Sequence, residues 1–275
     1  MASTLNAVPG PASANLIRTF QEPSAGGFLT PVQRSIERQR ARLSSADEEE
    51  RRDGVSQLGA MHHPDASRAA TAALSDPSPS VRATAASAIL SLPNEESATH
   101  LIPLLSDKNE FVRREAAYAL GKTRSANAVN PLIERLLIDK EDGVRGAAAV
   151  ALGEISNETA VVTLASVVGS QEVVVNTKKK SRSKKEQNPF VLRAVARSLG
   201  QIGSRAGVPA LIAVLQNEKA EDDVRREAAA ALGLIGDETA IPALRNSSSA
   251  RDPYLAEAAH EALSKILKSK TIRGN

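Results

Sequence analysis

DKNEFVRREAAYALGKTRSANAVNPLIERLL, residues 107–137, decides the fold, because close variants of it recur on both sides. Within it Phe111, Val112, Ala116, Ala119 and Leu120 recur at three- and four-residue steps, which places them along one stripe of a helix. The polar stretch from Lys122 to Ala126 interrupts that period as a turn. Ala128, Val129, Leu132, Ile133, Leu136 and Leu137 then resume it on a second helix. The unit is therefore a pair of helices, A and B.

The apolar residue eight positions before the Leu of each Leu-Gly pair anchors the copies: Val112 with Leu120, Val144 with Leu152, Val191 with Leu199 and Val224 with Leu232. Degenerate copies follow at Glu50 with Leu58, Val81 with Ile89 and Leu255 with Leu263. Successive anchors differ by 31 (50 to 81), 31 (81 to 112), 32 (112 to 144), 47 (144 to 191), 33 (191 to 224) and 31 (224 to 255). A period near 32 with two helices per unit predicts an all-α, right-handed α-solenoid of about seven repeats, interrupted by one insertion. A solenoid core grows linearly, so the length of 275 residues requires no domain break.

Each recurring position has a physical task. Alanines such as Ala116, Ala117, Ala148, Ala149, Ala228 and Ala229 favour helix and let neighbouring helices approach closely. Gly203 and Gly236 stand where helix A should end and suit a left-handed cap. Asp76 and Arg82, Asp107 and Arg113, and Asp139 and Arg145 are each six residues apart. The Asp is placed to accept from backbone N–H groups or from that Arg, tying one repeat to the next. Arg225 holds the same place further on, whereas Leu192 replaces the Arg in the repeat between.

These residues resemble the short HEAT-like repeats first named from phycobilisome lyases. The resemblance rests on the D-x5-R pairs, on V-R-x-x-A-A-x-A-L-G and on the A-[IV]-P-x-L of Ala240 to Leu244, and it covers roughly residues 46–268. It implies the fold specifically and the function weakly, since the resembled family includes lyases, hydroxylases, DNA glycosylases and plain scaffolds.

Residues 1–29 are rich in Ala, Ser, Pro and Gly and are expected to be a disordered tail, with a docking segment at Leu16, Ile17 and Phe20 or a targeting segment as alternatives. Residues 30–268 form the solenoid, opened by Thr30-Pro31 and an amphipathic helix that caps the array. Residues 169–188 are an inserted basic loop, in which Val173 to Val175 suit a short strand, and residues 269–275 are expected to fray. The formal charge is +3, six positives lie between Lys178 and Lys185, and without them the balance falls to −3. The basic character is local, carried by Lys178, Lys179, Lys180, Arg182, Lys184 and Lys185.

With no Cys there is no disulfide, thiol nucleophile or zinc-thiolate site, which suits a reducing, cytoplasmic compartment. Aromatics at 2% leave little for base stacking or cofactor platforms. No run of some 18 apolar residues exists to span a membrane. Deoxyhypusine hydroxylases share the resembled repeat and hold iron through several His-Glu pairs. Here only His260-Glu261 is such a pair, and His62, His63 and His100 sit at non-equivalent repeat positions. The glycosylases need aromatics near a catalytic Asp, and the two Tyr and four Phe here are scattered.

The expectation is a non-catalytic scaffold or adaptor with no cofactor and no metal. A protein or peptide would lie on the concave face of the B helices at Asn130, Glu134, Arg135, Ser166 and Arg245, and the basic loop would meet an acidic partner, either nucleic acid or an acidic protein. A nucleic-acid-binding repeat protein and a bilin-lyase-like subunit are the alternatives; the oligomeric state is left open. Because the insertion lies outside the period, deleting residues 171–187 should leave helical circular dichroism and cooperative melting almost unchanged. A collapse of the helical signal on that deletion would show the segment to be core.

Overall fold

The computed structural model describes residues 29–170, 172–175 and 183–273. After a capping helix α1 (Pro31–Arg42), A and B helices alternate through the chain. The A helices are α2 (Glu48–Ala60), α4 (Pro79–Ala88), α6 (Glu110–Thr123), α8 (Asp142–Ile155), α10 (Pro189–Ile202), α12 (Asp222–Ile235) and α14 (Pro253–Arg273). The B helices are α3 (Pro64–Ala70), α5 (Asn94–Leu101), α7 (Val129–Ile138), α9 (Val161–Ser170), α11 (Val208–Gln216) and α13 (Ile241–Ser247). Each A helix packs on the next A helix, and from α5 on each B helix packs on the A helix that follows it, so the chain is an all-α solenoid.

The first helix starts where its cap directs. Thr30 accepts from the Gln33 backbone while the Gln33 side chain accepts from the Thr30 N–H, a reciprocal capping box with Pro31 in the first turn. Asp47 caps α2 in front of Glu48, Glu49 and Glu50, whose charges favour the positive end of the helix dipole. Four A helices, α6, α8, α10 and α12, end in a left-handed residue: Gly203 and Gly236, but also Arg124 and Ser156, which adopt that conformation without the relief of glycine.

Packing between repeats explains the Leu-Gly pair. A Cβ built on Gly121, Gly200 or Gly233 would fall within 2.9 Å of the Cα of Ala151, Ala231 or Ala262 in the following A helix. At Gly153 it would meet Ser198 instead, whose hydroxyl donates to the Ala149 carbonyl of the preceding repeat. Glycine facing alanine or serine brings successive A helices into backbone contact, while Leu120, Leu152, Leu199 and Leu232, all at most 1% exposed, fill the seam with the B-helix leucines.

The strand expected at Val173 to Val175 is present within the insertion. Glu172–Val175 (β1) and Ser183–Glu186 (β2) pair as an antiparallel hairpin, with Val173 opposite Lys185 and Val174 opposite Lys184. Three consecutive β-branched valines favour the strand. Lys178, Lys179, Lys180 and Arg182, like residues 1–28, lie outside the described residues. At the other end α14 continues to Arg273, past Lys268 where the repeat pattern stops, because no helix breaker intervenes.

An interior repeat is packed on both sides and the last repeat on one. Leu152 is fully buried and Leu263 only partly so. Leu152→Ala should therefore cost about 2–4 kcal/mol, and Leu263→Ala less, in denaturant melts. The reverse order would mean that the stack does not end at α14.

Candidate functional surfaces

A ladder of buried ion pairs runs along one edge of the stack. Arg51 donates Nε and Nη2 to Asp76 at 2.7 and 3.0 Å, Arg82 to Asp107 at 2.7 and 2.8 Å, and Arg113 to Asp139 at 2.8 and 2.9 Å. The sequence reading had each Asp side chain accept from backbone N–H groups or from the Arg six residues on; it does accept a backbone N–H, but its Arg is a different one. It accepts instead from the Arg of the repeat before, because that Arg lies on the A helix stacked directly against it. The Arg six residues on donates Nη1 to the backbone carbonyl of the Asp, as Arg82 does to Asp76 and Arg113 to Asp107. Arg51, in a repeat too degenerate to show the pattern, is the member that the spacing missed.

Each ladder Asp stands two residues before the N-cap of the next A helix and accepts from the N-cap N–H: Asp76 from Ser78, Asp107 from Asn109 and Asp139 from Glu141. That register identifies the later rungs. Glu186 holds the carboxylate position before Asn188, Lys219 holds it before Glu221, and Ala250 holds it before Asp252. Their partners by position are Arg145, Leu192 and Arg225. Leu192 and Lys219 erase one rung from both sides, so no carboxylate is left buried without a cation there.

Arg145 and Arg225 are neutralised within their own repeats, by Asp142 and Asp222 three residues earlier. Arg145 also donates to the Asp139 carbonyl at 2.9 Å and reaches Gln187 at 3.4 Å, yet its buried Nε has no hydrogen-bond partner. Asn188 donates to Asp142 at 2.6 Å, so the base of the hairpin is tied to the same cluster.

The two helical layers present different surfaces. Across A helices, exposed ion pairs link successive repeats: Arg193–Asp223 at 3.0 Å, Arg197–Glu227 at 2.9 Å, Arg226–Asp252 at 3.1 Å and Lys122–Glu154 at 2.7 Å. Two aromatic rings join this face, with Arg114 stacked 5.1 Å from Phe111 and Arg226 5.6 Å from Tyr254.

The B helices present one exposed row of Thr99, Asn130, Val162, Pro209 and Pro242 and another, one turn on, of Pro103, Glu134, Ser166, Ala213 and Asn246. Glu134 is the one formal charge in these ten positions, and Val162 is 77% exposed. Of the residues selected from sequence, Asn130, Glu134 and Ser166 stand in these rows. Arg245 is exposed one position to the side, and Arg135 is half-buried and paired with Glu134 at 2.5 Å. Val162, Pro209 and Ala213 were passed over because a search for polar contacts does not pick out apolar positions.

The histidines do not converge. His62 lies in the turn before α3 at a positive φ, His63 caps α3 by accepting from the Asp65 N–H, His100 is exposed on α5 and His260 on α14. Among the described residues no three of His, Asp and Glu gather as a metal would require. The side chains present therefore do not fit an iron centre built from several His-Glu pairs. No helix of the described residues is long and apolar enough to cross a membrane.

Residues 36–121, 69–153, 98–176 and 181–268 match the family model of HEAT repeats, and the chain belongs to that family. It is 40% identical over 70 residues to the deoxyhypusine hydroxylase of Gallus gallus, covering 26% of this chain and 23% of that protein. It is 37% identical over 87 residues to the deoxyhypusine hydroxylase of Schizosaccharomyces pombe, covering 32% of this chain and 27% of that protein. The chain thus spans about a quarter of the length of the curated relatives it matches.

The CpcE–CpcF complex of phycocyanin lyase from Nostoc is similar in fold, with a TM-score of 0.50 and 23% identity over 94% of this chain and 93% of that one. The expectation of a non-catalytic scaffold is overturned by the two curated relatives, both enzymes by name. The sequence argument had set the enzyme aside on its histidine count, a criterion that tests one metal site and not kinship.

The ladder carboxylates carry a pH dependence. Burial by itself would raise the Asp107 carboxyl, but hydrogen bonds from Arg82 and the Asn109 N–H, with the Arg82 charge, outweigh it and hold Asp107 below the usual carboxylate range. Asp76 is lowered in the same way by Arg51 and Ser78 against the same burial. A carboxyl lowered in the folded state contributes stability that is present above about pH 4 and is lost as the pH falls through its folded value. Asp107→Asn should cost about 3–5 kcal/mol at neutral pH by leaving Arg82 unneutralised in the seam. It should also flatten the acid limb of the stability–pH curve below about pH 4. An unchanged acid limb in the variant would show that this rung does not couple to folding.

Proposed function

We propose that this HEAT-repeat stack binds a protein or peptide along its B-helix rows, and that the inserted hairpin adds contact with an acidic stretch of the same partner. The contrast between layers carries the reading. The A layer pairs exposed charges with one another across repeats, while the B layer leaves open to solvent two rows of ten positions in which Glu134 is the one formal charge. Such a strip suits main-chain and apolar contacts with an extended or helical segment. The lysines of the hairpin supply charge complementarity and a faster encounter. A cytoplasmic location suits the cysteine-free composition.

The test is affinity capture with four proteins: intact, Val162→Asp with Ala213→Asp, the 171–187 deletion, and an A-face control, Arg193→Asp. One set of partners should be retained by the intact protein and the control. The double Asp variant should lose that set, and the deletion should hold it in a weaker and less salt-sensitive form. Equal retention by all four would remove the B face from the argument. If duplex DNA binds instead, with a log–log salt slope on the order of −5, the hairpin is a nucleic-acid contact.

The curated relatives favour a second reading, in which the chain shares the hydroxylase chemistry. Untagged protein should then hold a stoichiometric transition metal that is lost in His260→Ala. Metal-free protein, or metal indifferent to that change, would remove this reading.

A further inference from the structure

Ala250 lies where three earlier repeats place a buried carboxylate, and an open cleft of about 720 Å³ occupies the space beside it. Arg225, Asn246, Ser247, Ser249 and Arg251 line that cleft with Ala250. We propose that the cleft is a carboxylate-binding site, in which a ligand's carboxylate takes the place of the missing ladder Asp on Arg225.

The chain itself supplies the template. In three filled rungs an Arg fork holds both oxygens of an Asp at 2.7–3.0 Å, and the N–H two residues after that Asp donates to one of them. At the sixth rung the Arg and the N-cap residue, Asp252, are kept, and the carboxylate alone has been cut back to a methyl group. A planar fork that recognises two oxygens at once is the reason Arg rather than Lys suits this task.

The state of Arg225 agrees with a vacated slot. Its Nε donates to the Leu215 carbonyl at 3.1 Å and its Nη1 to Asp222 at 2.9 Å, which leaves Nη2 without a hydrogen bond among the described residues. Arg251 is exposed and makes no ion pair among the described residues, so it adds a positive charge at the mouth. Of the nearby acids, Asp252 is engaged by Arg226 at 3.1 Å and Asp222 by Arg225 itself, while Glu218 lines the rim and selects against a second negative charge on the ligand. A single carboxylate therefore fits better than a phosphate carrying two charges. It can come from a small organic acid or from the C-terminus or an acidic side chain of a peptide.

The decisive variant restores the rung from within. In the full chain, the Arg225 side-chain N–H and the Asp252 backbone N–H are followed by 15N NMR at constant ionic strength. The additions are acetate against chloride, a neutral peptide with a free C-terminus, its C-terminal amide, and that amide carrying one Glu. Wild type should show saturable shifts with acetate and with either carboxylate-bearing peptide, and none with chloride or the neutral amide.

Ala250→Asp should show the bound-like shifts before any addition, melt at a higher temperature and respond at least tenfold more weakly. Arg225→Gln should not respond. Ala250→Asn, which fills the slot without charge, should also suppress the response and keeps the test readable if the Asp variant folds poorly. Tighter binding of acetate than of either peptide assigns the slot to a small acid, and the opposite order assigns it to a partner's carboxylate. An undiminished response in Ala250→Asp and Ala250→Asn, or no saturable shift with any carboxylate, overturns the proposal.

Discussion

Backbone contact between successive A helices sets the dimensions on which everything else in the stack depends. Gly121, Gly200 and Gly233 each lie where an added Cβ would press on the Cα of the following repeat, and alanines line the remaining contact. At that separation an Arg side chain reaches from one A helix to the loop before the next, and no further. The ladder is thus a consequence of the glycine–alanine seam. An Asp, with one methylene, fits the distance when it also caps the next helix through its N-cap N–H, so the same carboxylate ties two repeats and starts the second.

The pattern of rungs shows how a buried charge is managed when its partner is lost. Removing one member of a buried pair is costly because the other is left unneutralised. Where Leu192 replaces the Arg, Lys219 stands at the carboxylate position, and both members of the pair are gone. Where Arg145 and Arg225 survive, an Asp three residues earlier in the same helix takes over. The substitution is imperfect in both, since Arg145 Nε is left without a partner and Arg225 leaves its second terminal nitrogen uncommitted.

The helix pairs, their period and the position of the insertion were legible in the sequence because 3.6-residue periodicity and Leu-Gly spacing report directly on burial. The direction of the ladder was not. A six-residue Asp-to-Arg spacing suggests a contact within the repeat, and only the stacking of one A helix on another brings Arg82 to Asp107, 25 residues away in sequence. Arg51 escaped notice because Glu50 weakens its repeat; of the hairpin, the strand at Val173 to Val175 was read and its partner at Ser183–Glu186 was not, because a lysine-rich stretch carries no strand pattern. The binding rows were half legible. Asn130, Glu134 and Ser166 announce themselves as polar residues on a helix face, whereas Val162 and Ala213 become notable only once their exposure is known. The likeness to deoxyhypusine hydroxylases was legible in the shared repeat, but repeat positions constrained by packing say nothing of chemistry.

Electrostatic coupling changes character along the stack. From Arg51 to Asp139 the repeats are joined by ion pairs shielded from water, with Lys122–Glu154 beside them on the exposed A face, and from Arg193 to Asp252 by exposed A-face pairs. Exposed pairs contribute less and are screened by salt, whereas shielded pairs hold their geometry. The hairpin is followed directly by Gln187 and Asn188, which stitch its base to Arg145 and Asp142. Asp142 in turn neutralises Arg145 from three residues earlier in the same helix. The insertion therefore joins the stack at an Arg whose charge is met within its own helix, so the added chain need not carry a carboxylate to a fixed distance as Asp107 and Asp139 do.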